Sequence, residues 1–149
     1  MKQARDRRSK TVTVALALLL TTSCGLKNAS AGIPPEVESV VNTVTEYIAQ
    51  ERYDTVYSEA SDLWKQDASL EQSTQVLKTL HAKLGKVESR AMNSASEQQN
   101  SGGPLKGHAF IITYQTKFER GEAMETFTVI EDNGHWKLAR YLVNSTALR

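Results

Sequence analysis

The sequence predicts an α+β domain, with three N-terminal helices packed on a curved antiparallel sheet of about four strands. Three observations carry this expectation. Apolar residues recur at helical spacing between Val37 and Leu84, and from Lys86 onward the repeat drops towards two. Asn133-Gly134 then stands between two β-rich runs, the strongest short-range signal for a tight hairpin. Helices that all precede the strands leave the sheet antiparallel, with the helices on one of its faces.

Each element has its own signature. Val37, Val40, Val41, Val44 and Ile48 fall on one helical face, with Tyr47 beside them. Pro35 suits a first helical turn, and Glu36 and Glu38 sit at the positive end of the helix dipole. Tyr53, Val56, Tyr57 and Ala60 predict a short second helix. Ser69-Leu-Glu-Gln72 reads as a capping box, followed by Val76, Leu77, Leu80 and Leu84 on one face, with Gly85 placed to end the third helix. Val87 to Met92 predicts a strand. Residues 93–107, rich in Ser, Gln, Asn and Gly, read as a loop. Phe110, Ile112, Tyr114 and Phe118 alternate in a second strand, and residues 124–131 and 136–143 flank the hairpin turn.

The whole chain has 149 residues, 40% hydrophobic and 23% charged, with a formal net charge of +1. The length suits one domain, and the near-neutral charge argues against a nucleic-acid binder, which would carry a basic patch. The average conceals an uneven distribution. Lys2, Arg5, Arg7, Arg8 and Lys10 precede an apolar run and the small residues before Cys24, the pattern of a secretory signal over residues 1–23. The uncharged stretch 11–26 would give about 24 Å of helix at ~1.5 Å per residue, short for a hydrocarbon core of ~30 Å. Removing residues 1–23 takes away five Lys/Arg and one Asp, leaving 13 basic and 16 acidic groups and a net charge of −3.

Two processing readings compete. Leu20-Thr-Thr-Ser-Cys24 resembles a bacterial lipobox, in which the cysteine is lipidated and becomes the new N-terminus; Ala29-Ser-Ala31 is an A-x-A cleavage pattern. The lone cysteine favours the lipobox, because an exported protein with one unpaired thiol needs a use for it. Residues 24–35 are then a tether, 36–149 the domain, and the expected location is the periplasmic face of the outer membrane, or the outer face of the cell membrane in a single-membrane host.

The hairpin register points to candidate site residues. A two-residue turn sets Val129 opposite Leu138, Phe127 opposite Arg140 and Glu125 opposite Leu142, gathering Phe127, Val129, Trp136, Leu138 and Leu142 on one face. Glu125 and Arg140 become diagonal neighbours beside that apolar face. Charges in such a place need each other. They form either a rim ion pair or the polar anchor of a pocket for a small apolar ligand. The remaining chemistry is sparse. His81, His108 and His135 have no metal-ligand spacing, no phosphate loop or nucleophile elbow occurs, and no cofactor is expected.

Leu84-Gly-Lys-Val-Glu-Ser-Arg90, Tyr114-x-Thr-x-Phe118, Glu125-Thr-Phe-Thr-Val129 and Trp136-Lys-Leu-Ala-Arg-Tyr141, in this order, resemble the bacterial exported domain-of-unknown-function family 4019. The resemblance covers roughly residues 36–145 and implies a fold similar to the nuclear transport factor two-like, or cystatin-like, cone. It implies a place for Arg90 in the junction motif and weakens Arg140, where the family commonly has Gly. It brings no activity with it. The expected function is therefore a non-catalytic envelope lipoprotein held through Cys24, binding a small apolar ligand or another envelope protein, with Glu125, Arg140, Arg90, Trp136 and Tyr114 as candidate pocket residues. An isomerase- or dehydratase-like enzyme pairing Glu125 with a tyrosine, and a homodimer through the open sheet face, are the alternatives.

Overall fold

The computed structural model describes residues 32–149 other than Pro104. The expected signal segment, Cys24 and most of the expected tether fall in residues 1–31, outside the described residues. Four helices, α1 (Pro35–Ala49), α2 (Tyr53–Glu59), α3 (Asp62–Asp67) and α4 (Leu70–Leu84), precede four strands, β1 (Val87–Asn100), β2 (Gly107–Phe118), β3 (Gly121–Asp132) and β4 (His135–Asn144). The strands form one antiparallel sheet in the order β1-β2-β3-β4. A short 3-10 turn, Thr146–Leu148, follows. No described helix is long and apolar enough to cross a membrane.

The main core is the seam between helices and sheet. Val37, Val41 and Val44 of α1 and Leu77 of α4 meet Ile112, Phe127, Val129 and Leu138 of the sheet, all buried. At ~1.5–3 kcal/mol per fully buried aliphatic or aromatic side chain, this seam is the main source of stability. Local signals set its borders. Ser69 accepts a hydrogen bond from the Gln72 amide, and the Gln72 side chain accepts from the Ser69 amide, completing the expected capping box. Gly85 ends α4 at φ +77°, and a side chain there would strike Glu119.

The structure corrects the sequence reading in three places. First, the described residues form four helices rather than three. The additional one, α3, has six residues and buries none of them, so it is too short for a periodicity to show. It is held from outside: Ser61 caps it and donates its own amide to the Leu138 carbonyl, while the Trp64 indole donates to Ser73 Oγ on α4. Second, residues 93–100 are strand, not loop. They continue β1 in pairing with β2 as far as Asn100 opposite Gly107, with bulges near Glu88 and Asn93. Here both faces meet water over most of the length, so polar residues suffice and no alternation is required.

Third, the hairpin register holds only near the turn. Asp132 faces His135 and Val129 faces Leu138, as expected for a two-residue turn through Asn133 and Gly134, both at positive φ. Then β4 accommodates one extra residue, Ala139, so Thr128 pairs with Arg140, Phe127 with Tyr141 and Glu125 with Val143. The bulge turns over every later side chain of β4. Leu142, expected on the core face, is 62% exposed, and Tyr141 and Val143 take the inner positions.

Candidate functional site

Register builds the polar centre of the domain. Arg90 lies opposite Thr116, Tyr114 opposite Glu125, and Phe127 opposite Tyr141. Residues that alternate along a strand share a face, and diagonal neighbours on adjacent strands are within reach of long side chains. Arg90, Thr116, Glu125 and Tyr141 therefore converge from four different strands on the face that the helices cover.

Glu125 is completely buried and is the centre of this cluster. Arg90 donates Nε to Oε2 at 2.7 Å and Nη2 to Oε1 at 3.0 Å, a two-point grip across the intervening β2. Thr116 Oγ1 donates to Oε2, and Tyr141 donates its hydroxyl to Oε1 at 2.5 Å. Each carboxylate oxygen thus accepts two hydrogen bonds, which fills the roughly four acceptor positions of the group. The guanidinium carbon of Arg90 stands 5.7 Å from the ring centroids of both Tyr114 and Phe127, adding cation–π contact to the ion pair. Burial, followed by the charge and hydrogen bond of Glu125, holds the Tyr141 phenol well above its usual range against the opposing pull of Arg90. Burial also raises the Tyr114 phenol.

Beside the cluster is a cavity of about 260 Å³. Its apolar walls are Ile48 and Ala49 from the end of α1, Leu77, Leu80 and Leu84 from α4, and Phe118 and Val143 from the sheet. Its polar lining includes Arg90, Glu125, Tyr141, His81 and Lys86. Gly85, Lys86 and Val87, at the passage from α4 to β1, also line it.

The expected site residues separate on this frame. Glu125 and Arg90 meet and line the cavity. Arg140 does not pair with Glu125: beyond the bulge it is on the opposite face, 3.7 Å from Asp67 of α3. Tyr114 packs under Arg90 without lining the cavity. Trp136 sits at the far end of the same sheet face, against His108 and Phe110. Two residues with a direct role in the cluster, Thr116 and Tyr141, were not singled out as partners of Glu125. The spacing of the inward apolar residues of β4, Trp136, Leu138, Tyr141 and Val143, contains the signal: a step of three marks the bulge.

Among the described residues, no group of three His, Cys, Asp or Glu side chains is placed to hold a metal ion. A family model described as "Protein of unknown function (DUF4019)" matches residues 41–141, a span that runs from within α1 into β4 and holds all four members of the Glu125 cluster. No curated protein matches the chain.

Proposed function

The chain belongs to the DUF4019 family, whose description assigns no activity, and from the site itself we propose a non-catalytic binding module, a cystatin-like cone that accepts a small apolar group in the cavity between α1, α4 and the sheet. The observation that carries this reading is the saturated carboxylate beside apolar walls. A general base needs a lone pair within reach of the substrate proton. In Glu125 the acceptor positions are taken by Arg90, Thr116 and Tyr141. Tyr141 in turn spends its only hydrogen on Glu125. The isomerase-like alternative would have to dismantle this network before each turnover, which disfavours it. As a fixed polar floor the same network is well suited to shaping a dry pocket.

Binding of the neutral fluorescent probe N-phenyl-1-naphthylamine tests the reading. We expect saturable binding of one probe per chain, abolished by Leu80→Arg, with the circular dichroism spectrum of the variant unchanged. No binding, or binding indifferent to Leu80→Arg, would overturn it. We further propose that the module is exported and held at the envelope through a lipidated Cys24; labelling with palmitate in cells should mark the wild type and not Cys24→Ser.

A further inference from the structure

The sheet has two edges, and only one of them is occupied. At β4 the Ser61 amide donates to the Leu138 carbonyl at 2.9 Å, and α3 follows directly from Ser61. At the other edge β1 runs for 14 residues, and among the described residues its backbone bonds to β2 alone. Its outward N–H and C=O groups therefore form an open ladder. Lys and Pro, the residues that commonly blunt such an edge, are absent from Val87 to Asn100. We propose that two copies of the chain join through β1, edge to edge and antiparallel, about a two-fold axis between Asn93 and Ser94.

The bulge at Asn93 makes this edge complementary to itself. Arg90 and Met92 lie opposite Thr116 and Tyr114, buried residues of the helix-covered face. One extra residue then enters at Asn93, so Ala95 and Glu97, opposite the buried Ile112 and Phe110, share that same face. Asn93 and Ser94 both bond to Thr113 Oγ1 on the open face. Pairing about an axis between them sets Arg90 of each copy opposite Glu97 of the other, Met92 opposite Ala95, and Ala91 opposite Ser96. Each pair then keeps to one face, and opposite charges meet twice. Met92, 47% exposed in the single chain, gains a neighbour on its open side.

Other registers lose this match. A shift of two residues in either direction sets inward side chains against outward ones beside the bulge. Pairing centred on Glu97 would place that carboxylate opposite itself. A bulge protects an edge against a regular partner strand. Here each copy brings the same bulge to the axis, and the arms 89–92 and 95–98 on either side are regular.

Cysteine cross-linking tests the register, using Ala91→Cys with Ser96→Cys in the full chain. Cys24→Ser in the same chain leaves the two introduced thiols as the only ones. Opposite residues of an antiparallel pair have Cα atoms about 4.5–5.5 Å apart, inside disulfide reach. Within one chain the two positions are about 16 Å apart along the strand and cannot close on each other. Mild oxidation should give a covalent dimer from the double variant, while each single-cysteine chain stays monomeric. Glu97→Lys, at an exposed position, sets a second cation opposite Arg90 and should slow the cross-link roughly tenfold. No cross-link from the double variant, an equal yield from the single variants, or a rate indifferent to Glu97→Lys would overturn the proposal. A dimer that sediments as such and does not cross-link would overturn it in favour of the open sheet face.

Discussion

Two groups of charged side chains occupy opposite ends of the same sheet face, and their surroundings make them different objects. At the end under α4, Glu125 is fully enclosed and meets Arg90, Thr116 and Tyr141. At the other end His108 lies between Glu97, 2.6 Å from Nε2, and Glu131, 3.5 Å from Nδ1, with the carboxylates 58% and 45% exposed. Both groups join strands, and both look like ion pairs. Only in the first is the carboxylate removed from water, so that losing its partner leaves a buried charge without compensation. The comparison teaches that a charge on an apolar sheet face gains its energetic weight from what covers it. Glu125 is enclosed beneath the helices, whereas Glu97 and Glu131 stay open to water.

The largest expected effect breaks the buried group directly. Glu125→Ala leaves Arg90 unpaired and should cost about 3–5 kcal/mol, read as a fall in the urea midpoint. Arg90→Ala should cost a similar amount, since Glu125 has no exposure through which water could replace the guanidinium. The double variant Arg90→Met with Glu125→Leu removes both charges. It should be more stable than either single alanine variant, and in the matched cycle the double variant Arg90→Ala with Glu125→Ala should lose about 1–3 kcal/mol less than the sum of the two single losses. Additive losses would show that the two residues do not act as a unit.

Tyr141→Phe should have a smaller effect, about 1.5–3 kcal/mol for one hydrogen bond to a charged acceptor. It also makes a prediction about pH. The folded protein holds the phenol above its ordinary value of 10.0, so folding favours the neutral form. That contribution is complete below pH 10 and is lost as pH climbs from there through the raised folded value. Wild-type stability should therefore fall on the alkaline side more steeply than that of Tyr141→Phe. Parallel alkaline curves for the two proteins would contradict the assignment.

How much of this could be read from sequence follows from the same physics. The Asn133-Gly134 turn and the placement of Glu125 on the core face came directly from turn chemistry and alternation, because both are local. The partner of Glu125 was not local. One inserted residue, Ala139, moves Arg140 off the face and brings in Tyr141, and small side chains at bulges leave little trace in composition. Arg90 lies 35 residues from Glu125 and reaches it across β2, so no short-range pattern connects them. Helix α3 was missed because its stability comes from Ser61, Leu138 and Ser73, outside its own six residues. The far half of β1 was missed because an edge strand exposed on both faces has no hydrophobic pattern.

The smallest predicted effect belongs to the exposed group, and it sharpens the contrast most. A neutral imidazole has one N–H, so His108 donates to only one of its two carboxylates unless both ring nitrogens carry hydrogen. Either way the carboxylates keep access to water, and Glu97→Gln should cost under ~1 kcal/mol. The ring itself also packs, 4.8 Å from Trp136 and 5.3 Å from Phe110 between centroids, so His108→Ala should cost more than Glu97→Gln through lost contact rather than lost charge. Salt separates the two ends of the sheet. Raising ionic strength from ~0.15 M to ~1 M shortens the screening length from ~8 Å to ~3 Å. The Glu97→Gln effect should then disappear, and the Glu125→Ala effect should persist almost unchanged because solvent ions do not reach it. A Glu125→Ala loss that also disappeared in salt would mean that the helices do not seal their end of the sheet, and the dry floor on which the cavity depends would be gone.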